Sequence, residues 1–244
     1  TDHPRPPIQT YNGDTEAFSI DAEIVRKLHA LANKHDATLF MALLSAFQVL
    51  LHRYTGQNDA VVGVPIANRV NKQIEALIGF FVNTLVMSTD LSSGMTFRDI
   101  LLEVRKTALN AFEHQDVPFE MVVDAVQPER NMSHSPLFQV MFVLQNIPAQ
   151  PHHFSDLTIE PLEAETRLAK FDLTLTLAGG EDGFNGSFEY NTDLFERDTV
   201  QRMISGKDAI ELILGIKKDP VFGTVMMVGM GGTAAELLHD RSLG

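Results

Sequence analysis

Residues 38–56, TLFMALLSAFQVLLHRYTG, are apolar almost all the way round a helix. A helix with no polar face has to be buried on every side, so the rest of the chain must be built around it. The two apolar runs that follow it, DAVVGVPI (59–66) and FFVNTLVMS (80–88), are continuous rather than alternating. Such runs read as strands covered on both faces. One enclosed helix between buried strands demands a layered α/β arrangement, and Gly56 is placed to end the helix.

The remaining elements fit that frame. DAEIVRKLHALANKHD (21–36) reads as an amphipathic helix with Ile24, Leu28 and Leu31 on its apolar face and Asp21 placed as its cap. TFRDILLEVRKTALNAFEH (96–114) reads as a second, with Phe97, Ile100, Leu101 and Val104 inward. A short helix starts at Pro118, and LFQVMFVLQ (137–145) and LTIEPLE (157–163) read as strands. FDLTLTLAG and FNGSFEYN alternate and are joined by the hairpin turn GGEDG. The order βααβ, β, αα, ββββ, α predicts an α/β fold, a mixed sheet with packed helices. The first residues, TDHPRPPIQTYNG, hold three prolines in seven and read as extended, linker-like backbone.

Charge and composition exclude several functions. A formal net charge of -13 leaves no basic stripe for nucleic acid and disfavours an anionic membrane surface. The chain has no cysteine, so disulfides, thiolate metal sites and cysteine nucleophiles are out; this fits a reducing compartment, and the cytoplasm is the expectation. No apolar run is long enough to span a bilayer as a helix.

Four constellations bear on chemistry. HQDVPFE (114–120) sets His114 two residues from Asp116. A histidine beside a carboxylate can be an oriented base. The residues favour a helix corner instead, with His114 in a last turn and Asp116 capping the helix that begins near Pro118, and nothing pairs the histidine with a nucleophile. PHHFSD offers His152, His153 and Asp156, but adjacent histidines on extended backbone point to opposite faces. No HExxH metal spacing and no GxSxG elbow occurs, so neither a catalytic nucleophile nor a metal site is expected. VMMVGMGGTAAE places Gly229, Gly231 and Gly232 between a strand and a helix, a weak nucleotide-binding pattern without the acidic residue that should follow. Asn83 interrupts an apolar strand, so its amide either pins neighbouring backbone or faces a polar channel.

Several of these stretches, IGFFVNTLVMSTD, HQDVPFEMVVDAVQPER and RNMSHSPLFQVMFVLQN, together with VVGVPIANR and GSFEYNTDLFERDTVQRM, resemble condensation domains of nonribosomal peptide synthetases in order and spacing. The resemblance covers about residues 1–203. It implies a single chloramphenicol-acetyltransferase-like lobe, the C-terminal one of two that enclose a substrate tunnel. Carrier proteins bring acyl or peptidyl thioesters to that tunnel, and the chemistry is amide formation. The family's catalytic histidine lies in an HHxxxDG motif that these 244 residues do not contain. The resemblance therefore implies a chain that begins after the N-terminal lobe, with no catalytic residue and no cofactor of its own. It places Asn83, Ser135 and Pro136 nearest the tunnel and makes HQDVPFE a lobe marker without a base. Residues 204–244 resemble a fragment of the ATP-grasp region of ADP-forming acyl-CoA synthetases, so the chain reads as a fusion with a βα appendage. The missing N-terminal lobe predicts an exposed interlobe face and self-association into a homo-oligomer that covers it. Two rival functions follow. Oligomerisation could build an acyltransferase or thioesterase with His114 or His134 as base, and Gly229 to Gly232 could bind a nucleotide or CoA.

Overall fold

Side-chain caps fix where two of the helices start. Thr38 and Thr96 each accept a backbone N–H three residues on, from Met41 and Asp99. In the second case the Asp99 carboxylate returns a bond to the Thr96 N–H at 3.0 Å, closing a capping box. Gly56 ends its helix in the left-handed conformation, φ 68°, which a residue without Cβ adopts at no steric cost. The computed structural model describes residues 1–69, 72–75, 77–92, 94–129, 131–145, 167–180, 182–205, 215–219, 223–228 and 242–243.

The elements run β1 (Gly13–Asp21), α1 (Ala22–Lys34), α2 (Leu39–Thr55), β2 (Asp59–Ile66), α3 (Lys72–Glu75), β3 (Asn83–Asp90), α4 (Phe97–Glu113), α5 (Phe119–Val126), β4 (Val140–Gln145), β5 (Leu173–Gly180), β6 (Gly183–Asn191), α6 (Arg197–Ser205), β7 (Gly215–Asp219), β8 (Gly223–Val228) and β9 (Ser242–Leu243). Six strands form one mixed sheet in the order β1-β6-β5-β4-β2-β3, parallel only where β4 meets β5 and β2. β7, β8 and β9 make a separate antiparallel sheet within residues 204–244. The glycines 229, 231 and 232, His152, His153, Asp156 and the LTIEPLE segment lie outside the described residues.

The all-apolar helix is the centre of the core. α2 buries eight of its side chains, from Met41 to Val49. Its Phe40 and Phe47 sit 5.7 and 5.9 Å from the Phe142 ring in β4, and Phe47 is 6.1 Å from Phe188 in β6. Gln48 is fully buried, and its amide donates to the Ala60 and Met87 carbonyls at 3.0 and 3.2 Å, tying α2 to β2 and β3. α4 buries Phe97, Ile100, Leu101 and Val104 as its periodicity predicts. Among the described residues no single helix is long and apolar enough to cross a membrane.

Four local expectations are corrected. α1 buries Val25, Leu28 and Ala32, while Ile24 is half exposed, so its apolar face is rotated from the one read off the sequence. Asp21 holds the N-cap position of α1 but makes no side-chain cap bond. The strand read from Phe80 begins only at Asn83, and Ile78 and Phe80 face solvent, Phe80 with 92% of its surface exposed. The fourth correction is to the linker-like segment 1–12, which is held against the body. Asp2 accepts from the Glu196 N–H and the Thr199 hydroxyl at 2.8 and 2.9 Å. Arg5 grips Asp172 with both guanidinium ends, and Gln9 donates to the Met132 carbonyl at 2.7 Å. Burial of that pair requires such bidentate geometry. The Asp172 carboxylate raises the Arg5 guanidinium further above its ordinary value.

Candidate functional site

Asn83 and HQDVPFE, far apart in sequence, form one structural joint. The Asn83 amide nitrogen donates to the Gln115 and Val117 carbonyls, both at 2.8 Å. Its oxygen accepts from the Phe119 N–H at 3.1 Å and the Thr84 N–H at 2.9 Å. Every hydrogen-bonding position of the nitrogen and the oxygen's two lone pairs is thereby used. The side chain turns β3 onto the α4–α5 corner and supplies the first turn of α5 with an acceptor. Pro118 occupies the N-cap position of α5, and a proline has neither a capping side chain nor an N–H to satisfy. Asp116, expected as the cap, is exposed; Asn83 does that work from another strand.

His114 is the C-cap residue of α4. Its backbone closes the corner, donating to the Ala111 carbonyl at 3.2 Å and accepting from the Val117 N–H at 3.1 Å, while its ring is exposed. HQDVPFE is therefore a helix corner in this structure.

α5 connects that joint to the second candidate cluster. Its Phe119 packs edge-on against Phe138 at 5.5 Å, and Phe138 lies 5.4 Å from Phe171. Gly63 leaves room for this ring: a Cβ there would stand 2.3 Å from Phe138. Past the far end of α5, Gln127 adopts a left-handed φ of 49° and the chain turns into the 131–136 segment. Between them opens a cavity of about 610 Å³, with Asp124, Glu129, Asn131, Met132, His134 and Pro136 in its wall. His134 Nδ1 lies 3.0 Å from the Ser135 carbonyl oxygen and 3.3 Å from the Gln139 amide nitrogen. Gln139 donates to the same oxygen at 3.1 Å. Pro136 thus stands in the cavity wall, Ser135 contributes only its carbonyl to the loop's hydrogen bonds, and His134 is tied to its own loop.

Of the sequence candidates, the structure brings His134, Ser135 and Pro136 together and joins Asn83 to the HQDVPFE backbone. Among the six described histidines, only His3 has a carboxylate within 4 Å, Glu196 at 3.8 Å, and both are largely exposed. No described histidine touches a serine or threonine hydroxyl. Among the described residues no group of three or more His, Cys, Asp or Glu could hold a metal ion. Two participants had escaped the sequence reading. Arg5 also points a guanidinium nitrogen at the Ser133 carbonyl at 3.4 Å, so the N-terminal segment braces the 131–136 loop. Gln48 clamps the strands behind it; a polar residue at an all-round apolar helix position was the available signal.

Comparisons with known proteins place this geometry. The family model described as a condensation domain matches residues 1–220. A linear gramicidin synthase chain of Brevibacillus parabrevis is 54% identical over 206 residues, which is 84% of this chain and 4% of that protein. Malpinin synthetase of Mortierella alpina is 46% identical over 214 residues, 88% of this chain and 3% of the relative. A solved four-domain nonribosomal peptide synthetase bound to AMP and glycine superposes with a TM-score of 0.76 at 28% identity, covering 83% of this chain and 17% of that one. The X-domain from teicoplanin biosynthesis gives 0.74 at 26% identity, covering 83% and 47%. The chain thus spans a few per cent of the curated relatives it matches and under half of these solved chains.

Proposed function

This chain belongs to the condensation-domain family, and from that premise we propose that it is the C-terminal lobe of an amide-forming acyltransferase. In this reading it supplies one wall of the substrate tunnel and a face for carrier-protein thioesters, and the reacting base comes from an HHxxxDG motif on a second lobe. One observation carries the division of labour. The Asn83 side chain and the backbone of the HQDVPFE corner are taken up by structural hydrogen bonds, and the exposed His114 ring has no hydroxyl partner among the described residues. The exposed apolar run Leu77, Ile78, Phe80 and Val82 supports a second lobe packing there, since monomeric surfaces rarely leave such a run bare. In this reading residues 1–12 are the strap between lobes, and their anchoring through Arg5 and Asp2 sets where a preceding lobe departs. Residues 204–244 are then an appendage; the family match reaches residue 220, across the boundary proposed at 203.

The test joins this chain, as one polypeptide, behind the N-terminal half of the linear gramicidin synthase condensation domain. Carrier-bound aminoacyl thioester and a carrier-bound or free amine are supplied, and product is read by mass spectrometry. The reading expects amide product from the joined protein and none when both histidines of HHxxxDG are replaced by alanine. Product that survives that replacement overturns it.

A further inference from the structure

A second groove lies between α1, the start of α2 and the end of α4, with a volume of about 760 Å³. That is within the roughly 300–1,000 Å³ typical of small-molecule sites. Its floor is apolar: Phe40, Phe112 and Leu144 are half-buried there, and Leu109 stands 47% exposed. It is lined by one fixed cation, Arg26, and by His29 one turn further along α1. No carboxylate is among the described residues that line it, in a chain of net charge -13. The neighbouring Glu23 is engaged by Lys27 at 2.6 Å and feels the Arg26 charge only as a weaker, through-space effect, with no ion pair to Arg26 within 4 Å among the described residues. The cavity beside His134, by contrast, carries Asp124 and Glu129 in its wall.

We propose that this groove binds an amphipathic monocarboxylate, an aliphatic or aryl chain lying on Leu109, Phe112, Phe40 and Leu144 with its carboxylate on Arg26. The charge pattern selects this class. One permanent guanidinium offers a planar fork that matches one carboxylate, and a dianionic phosphate would leave charge uncompensated. The half-exposed Leu109 gains burial only if an apolar chain covers it.

The test is a titration of the full chain with sodium decanoate, followed by 1H–15N NMR, with 1-decanol and decyltrimethylammonium as controls. Decanoate is expected to shift α1 and α4 amides saturably and to bind more tightly than either control. Arg26→Gln is expected to weaken decanoate roughly five-fold, the upper end for a solvent-facing ion pair. Leu109→Asn is expected to weaken it about ten-fold. Both side chains face solvent, so the variants should melt with the parent, and far-UV circular dichroism checks that. Equal binding of decanol and decanoate overturns the proposal. So do shifts confined to other elements, and so does an Arg26→Gln variant with parental affinity.

Discussion

Replacing Asn83 with alanine removes four hydrogen bonds, three of which reach another segment: to Gln115 O, Val117 O and from Phe119 N. Each such bond contributes a net of roughly 0.5–1.5 kcal/mol. Three together would give about 1.5–4.5 kcal/mol, but Asn83 is only half-buried, so water can replace part of the loss. The expected cost is about 2 kcal/mol, or a fall of roughly 4–8 °C in Tm for a chain of this size. Asn83→Asp should cost more, because it keeps the acceptor for Phe119 but sets a carboxylate against two carbonyl oxygens. Urea unfolding followed by far-UV circular dichroism measures both. If both variants lie within about 0.5 kcal/mol of the parent, the joint is not structural and the assignment of Asn83 fails.

Three further outcomes follow from packing and ionisation. Phe142→Ala empties a fully buried site between Phe40 and Phe47 and should cost about 3–5 kcal/mol by the same urea assay. Thr96→Ala opens the α4 capping box and should cost about 1 kcal/mol at neutral pH. The Thr96 hydroxyl and then its N–H hold the Asp99 carboxyl below its ordinary 3.8, so this contribution is full above that pH and is lost as acid protonates the folded carboxyl. The gap between parent and Thr96→Ala should therefore narrow in acid. Burial raises the Glu189 carboxyl above its ordinary 4.5, against the Lys170 backbone bond and charge, so its penalty is absent in acid and complete once the folded group ionises. Glu189→Gln should raise the urea midpoint at pH 7 and leave it unchanged well below pH 4.5.

The fold was legible where periodicity carried it. The enclosed α2, the inward face of α4 and the β5–β6 hairpin all stand where their patterns put them. Misreadings came where long-range contacts decide. The FFV run is apolar enough for a buried strand, yet the ladder with β2 begins at Asn83, opposite Ile66. The α1 face turned because Ala32, a weak apolar signal, is fully buried while the larger Ile24 is not. The proline-rich start looked like free linker, since its anchors, Asp172 and Thr199, lie some 170 to 200 residues away. For the same reason the Asn83 joint showed only as two open readings in sequence. An amide in an apolar run announces that partners exist, not that they are the carbonyls of a corner 32 and 34 residues on.

The central claim, a lobe whose polar groups build structure and leave the base elsewhere, is tested most directly on the chain by itself. It is incubated with a carrier-bound aminoacyl thioester and a free amine, and amide formation is followed by mass spectrometry against a no-protein control. The account predicts no product above the control, from the parent or from His114→Ala and His134→Ala. Product from the parent that disappears in either variant would contradict it.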